Sequence, residues 1–236
     1  MNIQHFEIVK SYFPNASLAI LSATRLKAFI ERIQRKHKKK ILLVTSLCPN
    51  TLHLLEEMDL HDSDKTVHLG GIDGYPFANL EILESLLKVP DVLLLFIYGP
   101  HVMISQKDKK TPLKNTDAYL RACCDATQFT QDQCKNSVTS DHGIPSRSSQ
   151  VDEIIKLFST HIHRLVSSAD QTMEITEIFY EAIEEKIKAI IKNMNPTVSL
   201  ILFGGIFINY SEEFDSWCIV RNLRYFPPSS DDYENY

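Results

Sequence analysis

Cys48, His101 and the adjacent pair Cys123 and Cys124 are the residues whose types and placement could carry chemistry. Cys48 directly follows the apolar run 41–47, and His101 follows the apolar run 92–98 across Gly99 and Pro100. In an open parallel sheet the strand ends converge on one edge, where α/β proteins bind their ligands. Two thiolates and one imidazole meeting there form a donor set that zinc takes tetrahedrally. Three protein ligands leave a fourth position for water, a catalytic rather than a structural layout. Spacing alone leaves a second reading open, in which the thiols are buried apolar residues and the histidine sits in a turn.

The elements that must position these residues follow from hydrophobic patterning. Residues 41–47 and 92–98 are almost continuously apolar, as expected of strands buried on both faces of a sheet. The Gly-Pro pair at 99–100 is expected to stop the second strand and leave His101 at the sheet's carboxyl edge. A helix is expected from Ser17 or Ser22 to about Gln34, followed by the basic run 35–40, which complements the negative end of the helix dipole. A short helix after Pro49, a short strand from Thr66 into the Gly70, Gly71 and Gly74 loop, and a helix over 80–87 come next. Asn115 or Thr116 is expected to cap a helix carrying Ala118, Leu120, Ala122, Cys123 and Cys124. Two amphipathic helices are read over 150–167 and 172–194, a buried strand over 198–203, and a closing, antiparallel strand over 217–226. Strands alternating with helices predict an α/β fold in one domain with a central, mostly parallel sheet flanked by helices. The divisions expected are an N-terminal helical segment over 1–40, an α/β domain over 41–226 and an acidic tail over 227–236.

Bulk properties restrict the function classes. The chain has 236 residues, 44% of them hydrophobic, and a formal net charge of −5. That charge argues against a nucleic-acid partner. No apolar stretch approaches the roughly 20 residues needed to cross a bilayer, so no membrane association is expected. No secretory signal is evident at the N-terminus, and five cysteines, two of them adjacent, do not suggest a disulfide framework. A reducing, cytoplasmic setting is the expectation. Cys134 and Cys218 read as plain apolar thiols, and His161 and His163 as ordinary helix residues, since positions two apart do not share a helix face.

Four segments, taken in order, resemble one family. They are Leu-Gly-Gly-Ile-Asp-Gly-Tyr-Pro-Phe at 69–77, Tyr-Gly-Pro-His-Val at 98–102, Ala-Cys-Cys-Asp-Ala at 122–126 and Gly-Gly-Ile-Phe-Ile-Asn-Tyr at 204–210. They are similar to the limiting-CO2-inducible protein B/C family, a β-carbonic-anhydrase-like group of zinc proteins also described as theta-class. The resemblance spans about residues 41–226. It implies a Rossmann-like fold, a homodimer, and a zinc ion held by Cys48, His101 and Cys124, with carbon dioxide and bicarbonate as substrate and product. Cys124 is chosen over Cys123 because the family's small-Cys-Gly-Ala pattern best overlays residues 123–126.

One departure bears on activity. β-Carbonic anhydrases open their first ligand segment with Cys-x-Asp-x-Arg, in which the Asp orients the reacting water and the Arg holds the Asp. Here the segment reads Cys48-Pro49-Asn50-Thr51-Leu52. Asn50 retains a carbonyl acceptor but no charge, and Leu52 cannot pair with it. Two functions are therefore carried forward: a zinc lyase hydrating carbon dioxide, and a zinc-binding, catalytically weak or inactive homodimeric binding or regulatory protein. In the first, Asn50 orients the water, while Tyr75, Phe77 and Tyr98 supply the apolar wall beside the metal. His53 and His68 are nearby candidates for proton export.

Overall fold

The structure is a computed structural model that describes residues 3–13, 20–47, 55–56, 66–69, 80–89, 91–106, 118–122, 149–169, 171–194, 198–210, 216–227 and 234–235. Within them the chain forms α1 (Ile3–Tyr12), β1 (Ile20–Ser22), α2 (Ala23–His37), β2 (Lys40–Ser46), β3 (Thr66–His68), α3 (Leu80–Leu86), β4 (Val92–Tyr98), β5 (His101–Gln106), β6 (Ala118–Ala122), α4 (Ser149–Thr160), α5 (Ile162–Ser167), α6 (Gln171–Met194), β7 (Ser199–Tyr210), β8 (Ser216–Phe226) and β9 (Glu234–Asn235). All nine strands join one sheet, whose main path is β1-β8-β7-β4-β2-β3. β3, β2, β4 and β7 run parallel, and β8 and β1 close the sheet antiparallel. This is the mixed α/β single domain expected from the alternating pattern.

The two faces of the sheet are covered unequally. Leu94, Phe96 and Tyr98 of β4 and Leu200 and Leu202 of β7 pack with Leu83, Phe158, Leu165 and the α6 residues Ile175, Ile178, Phe179, Ile183, Ile187 and Ile191. Leu93, Leu95 and Ile97 of β4 and Ile201, Phe203 and Phe207 of β7 face α2, which supplies Ala23, Leu26, Ile30 and Ile33. A strand sends successive side chains to opposite faces, so a run apolar at every position needs helices on both sides. α1 and the residue after it place Val9 and Phe13 against Val102, Ile206, Ile208 and Trp217.

α2 shows how local sequence sets an element. Its buried residues recur at helical spacing. Arg35, Lys36 and His37 occupy its last turn, and Lys38 ends it in the left-handed conformation (φ 50°), its N–H donating to Gln34 O. The segment 1–40 is not a separate unit, because β1 pairs with β8 and α2 covers the sheet. Nor is the tail wholly outside the fold, since Asn235 and Glu234 pair with Arg224 and Tyr225.

Two expectations are corrected. Residues 118–122 form a strand, not a helix, because they pair antiparallel with β5 from Ala118 to Ala122. Cross-strand hydrogen bonding overrides a local pattern that also suits a helix. The second correction concerns Gly99 and Pro100, and it defines the candidate site.

Candidate metal centre

The Gly-Pro pair does not end the strand against β7. Tyr98 is paired with Gly204 and His101 with Phe207, so β4 and β5 keep one parallel register along β7. Between them Phe207 N–H donates to Pro100 O at 3.0 Å, carrying the ladder across the junction. Gly99 makes this crossing possible. Its φ is +149°, a value side-chain-bearing residues rarely adopt, and a Cβ there would lie 1.7 Å from Gly205 O.

On the other side of the junction the neighbouring strand changes. β2 accompanies β4 as far as the Ser46–Tyr98 pair, and β6 accompanies β5 from the Val102–Ala122 pair. A parallel neighbour therefore hands over to an antiparallel one beside Gly99, Pro100 and His101. The described chain stops at Leu47 on the β2 side, one residue before Cys48 in sequence. It stops at Ala122 on the β6 side, two residues before Cys124. The carboxyl ends of β2 and β6 thus flank the junction that carries His101. Cys48, Asn50, Tyr75, Phe77, Cys123 and Cys124 themselves lie outside the described residues, as does His53. Among the described residues no group of three or more His, Cys, Asp or Glu side chains forms a metal-binding cluster.

His101 is buried, 7% exposed, and neither ring nitrogen has a hydrogen-bond partner among the described residues. A neutral imidazole carries one donor and one acceptor, and leaving either unmet in a protein interior costs about 1–3 kcal/mol. Buried polar atoms without partners call for an explanation such as a bound ion. An imidazole with no partner among the described residues at this junction fits a zinc ligand, since zinc takes neutral imidazole nitrogen alongside thiolate sulfur.

Tyr98 does not line a pocket beside His101. It is fully buried on the α6 face, stacked on Phe96 (5.6 Å) and Tyr180 (6.0 Å), whereas His101 pairs with Phe207 of the α2 face. Asn222 Nδ2 donates to Tyr98 Oη at 3.2 Å and to Glu184 Oε1 at 3.2 Å, and Glu184 pairs with Lys188. Burial pushes the Tyr98 hydroxyl up to about 12, opposed by the hydrogen bond from Asn222. Gly204 is required beside this cluster, because a Cβ there would meet Tyr180 Oη at 2.4 Å. Sequence reasoning missed the Asn222 network, since no periodicity marks a buried Asn.

His68, an exposed residue on β3, bonds through Nδ1 to Thr45 Oγ1 at 2.7 Å across the Thr45–His68 pair. It stands near the carboxyl end of β2, one strand farther from His101 than β2 itself. Asn209 pairs with Met103 on one side of β7 and with Ser216 on the other, a position within the sheet. Cys218 is buried in the core, and its burial raises the thiol pKa well above the usual range, away from thiolate chemistry.

Comparison with known proteins agrees with this architecture. No curated protein matches the sequence. The crystal structure of PtLCIB4, a homologue of the limiting CO2-inducible protein LCIB, superposes with a TM-score of 0.75 at 22% identity, covering 98% of this chain and 99% of that one. The crystal structure of LCIB gives a TM-score of 0.66 at 12% identity, covering 98% of each chain. At these identities the likeness shows the fold. The family of limiting CO2-inducible proteins B/C, beta carbonic anhydrases, matches residues 22–226, from the end of β1 to the end of β8. The chain therefore belongs to the limiting CO2-inducible protein B/C family of beta carbonic anhydrases.

Proposed function

We propose that this protein is a zinc-dependent carbonic anhydrase that hydrates carbon dioxide reversibly to bicarbonate. Cys48, His101 and Cys124 hold the metal, and the protein works as a cytoplasmic homodimer. The observation that carries the proposal is the buried imidazole of His101, without a hydrogen-bond partner among the described residues, at the point where the strand neighbours change from β2 to β6. Family membership supports the substrate. Zinc, when bound, supplies Lewis acidity that makes water nucleophilic near neutral pH.

The chain's own residues set the rest. His101 is fixed by the β5–β7 pairing and by its burial, so its ring loses little freedom on ligation. Asn50, two residues past Cys48, accepts a hydrogen bond from the attacking water through its amide oxygen and orients it. Tyr75 and Phe77 give carbon dioxide an apolar wall. Tyr98 has no part in that wall, because it lies on the other face of the strand.

A second reading is favoured by a specific feature. Asn50 and Leu52 replace the charged acceptor and its arginine, so zinc can be held by a chain with little turnover that acts as a homodimeric binding protein. The deciding experiment pairs zinc stoichiometry with stopped-flow hydration on wild type, Cys48→Ser and His101→Ala. About one zinc per chain and hydration above buffer background, both lost in the variants, is expected. Full zinc in both variants overturns the ligand assignment. Zinc in wild type with only background rates selects the second reading.

A further inference from the structure

A groove of about 350 Å³ opens on the α2 side of the sheet, away from the β4–β5 junction. Its described lining is Phe29, Arg32, Ile33 and Lys36 of α2, with Ile201 of β7 and Leu223 of β8. The volume lies in the range of small-molecule sites. Its chemistry is divided. Ile33, Ile201 and Leu223 make an apolar floor continuous with the core on that face. Arg32 and Lys36, one helical turn apart, stand along the α2 side, and the Arg32 guanidinium lies 5.2 Å over the Phe29 ring. No carboxylate occurs among the described lining residues. Arg35, Lys38, Lys39 and Lys40 continue the positive field in sequence, in a chain whose formal net charge is −5.

We infer that this groove binds a small amphipathic anion, a carboxylate carried on a flexible apolar chain. The apolar floor takes the chain. Arg32 supplies the planar fork that matches a carboxylate, and Lys36 adds a second positive charge within reach. Charge complementarity selects the occupant: a neutral or cationic molecule of the same length gains the floor but not the two cations, and a cation is repelled by them.

Decanoate, titrated into the full-length protein by calorimetry below its micellar concentration, tests the assignment, with decylamine as the charge-reversed control. Saturable binding of decanoate at one site per chain is expected, with decylamine giving none. The double variant Arg32→Gln, Lys36→Gln changes only exposed positions, so it should fold, and it should weaken decanoate at least about tenfold. His101→Ala should leave decanoate affinity unchanged, which separates the groove from carboxylate binding at the proposed zinc. Equal binding of decylamine, affinity in the double variant within about twofold of wild type, or loss of binding in His101→Ala overturns the inference. So does sedimentation showing that decanoate splits an oligomer, because the groove is then a contact between copies.

Discussion

A Cβ placed on Gly99 would lie 1.7 Å from the carbonyl oxygen of Gly205. This contact joins β4 and β5 into one parallel register along β7 and seats His101 opposite Phe207. Gly99→Ala is therefore expected to lose stability through both steric overlap and backbone strain, the strain alone about 1–3 kcal/mol. It should also reduce zinc occupancy, because the backbone immediately before His101 must move. Chemical denaturation together with metal analysis checks this. A variant with wild-type stability and zinc content would show that the close approach is not required.

His101→Phe separates the metal from the fold. In metal-free protein the substitution removes two buried nitrogens that have no partner among the described residues and keeps an aromatic ring. It is expected to be neutral or to stabilise by up to ~2 kcal/mol. Metal-loaded wild type should then exceed the variant, since only wild type gains ligand-linked stability. Thermal melts with zinc and with chelator check the crossover. A variant that is less stable than wild type in chelator would mean that the imidazole already has a structural role.

Asn50→Asp tests the proposed role of Asn50 by putting a charged acceptor in its place. It is expected to raise the carbon dioxide hydration rate at least ~10-fold, the low side of the range for a positioned acid–base group. Pairing it with Leu52→Arg should raise the rate further, because the guanidinium keeps the new carboxylate ionised and oriented. Stopped-flow hydration at fixed zinc occupancy measures both. No gain in either variant would place the limitation elsewhere.

Tyr98→Phe is expected to cost about 1 kcal/mol through loss of the Asn222 hydrogen bond, while leaving zinc content and hydration unchanged. Its pH dependence has a definite sign. The folded hydroxyl titrates at about 12, above the ordinary 10.0. Folding therefore favours the neutral phenol, and this contribution is complete below pH 10 and lost as pH rises toward 12. Wild type should lose its advantage over Tyr98→Phe across that window. A parallel pair of stability curves through pH 10–12, or a fall in activity at neutral pH, would contradict the placement.

Much of the fold is legible in the sequence because it rests on local periodicity. The nearly continuous apolar runs within β2, β4 and β7 demand a sheet buried on both faces, and the spacing of Leu26, Ile30 and Ile33 demands a helix against one of them. The same logic marks Cys48 and His101 as residues next to strand ends, whereas Cys124 enters only through the family resemblance. Local pattern cannot show which strand lies beside which. Residues 118–122 suit a helix until β5 is placed alongside them, and Gly99 and Pro100 look like a stop until the ladder of β7 carries the chain past them. Tyr98 and His101 are three residues apart and look like one site, but the alternation of the strand sends them to opposite faces. Sequence by itself determined the elements and the residue types able to hold a metal. Only the tertiary structure decided that His101 is buried between the ends of β2 and β6, without a partner among the described residues, because strand pairing is a contact between segments far apart in the chain.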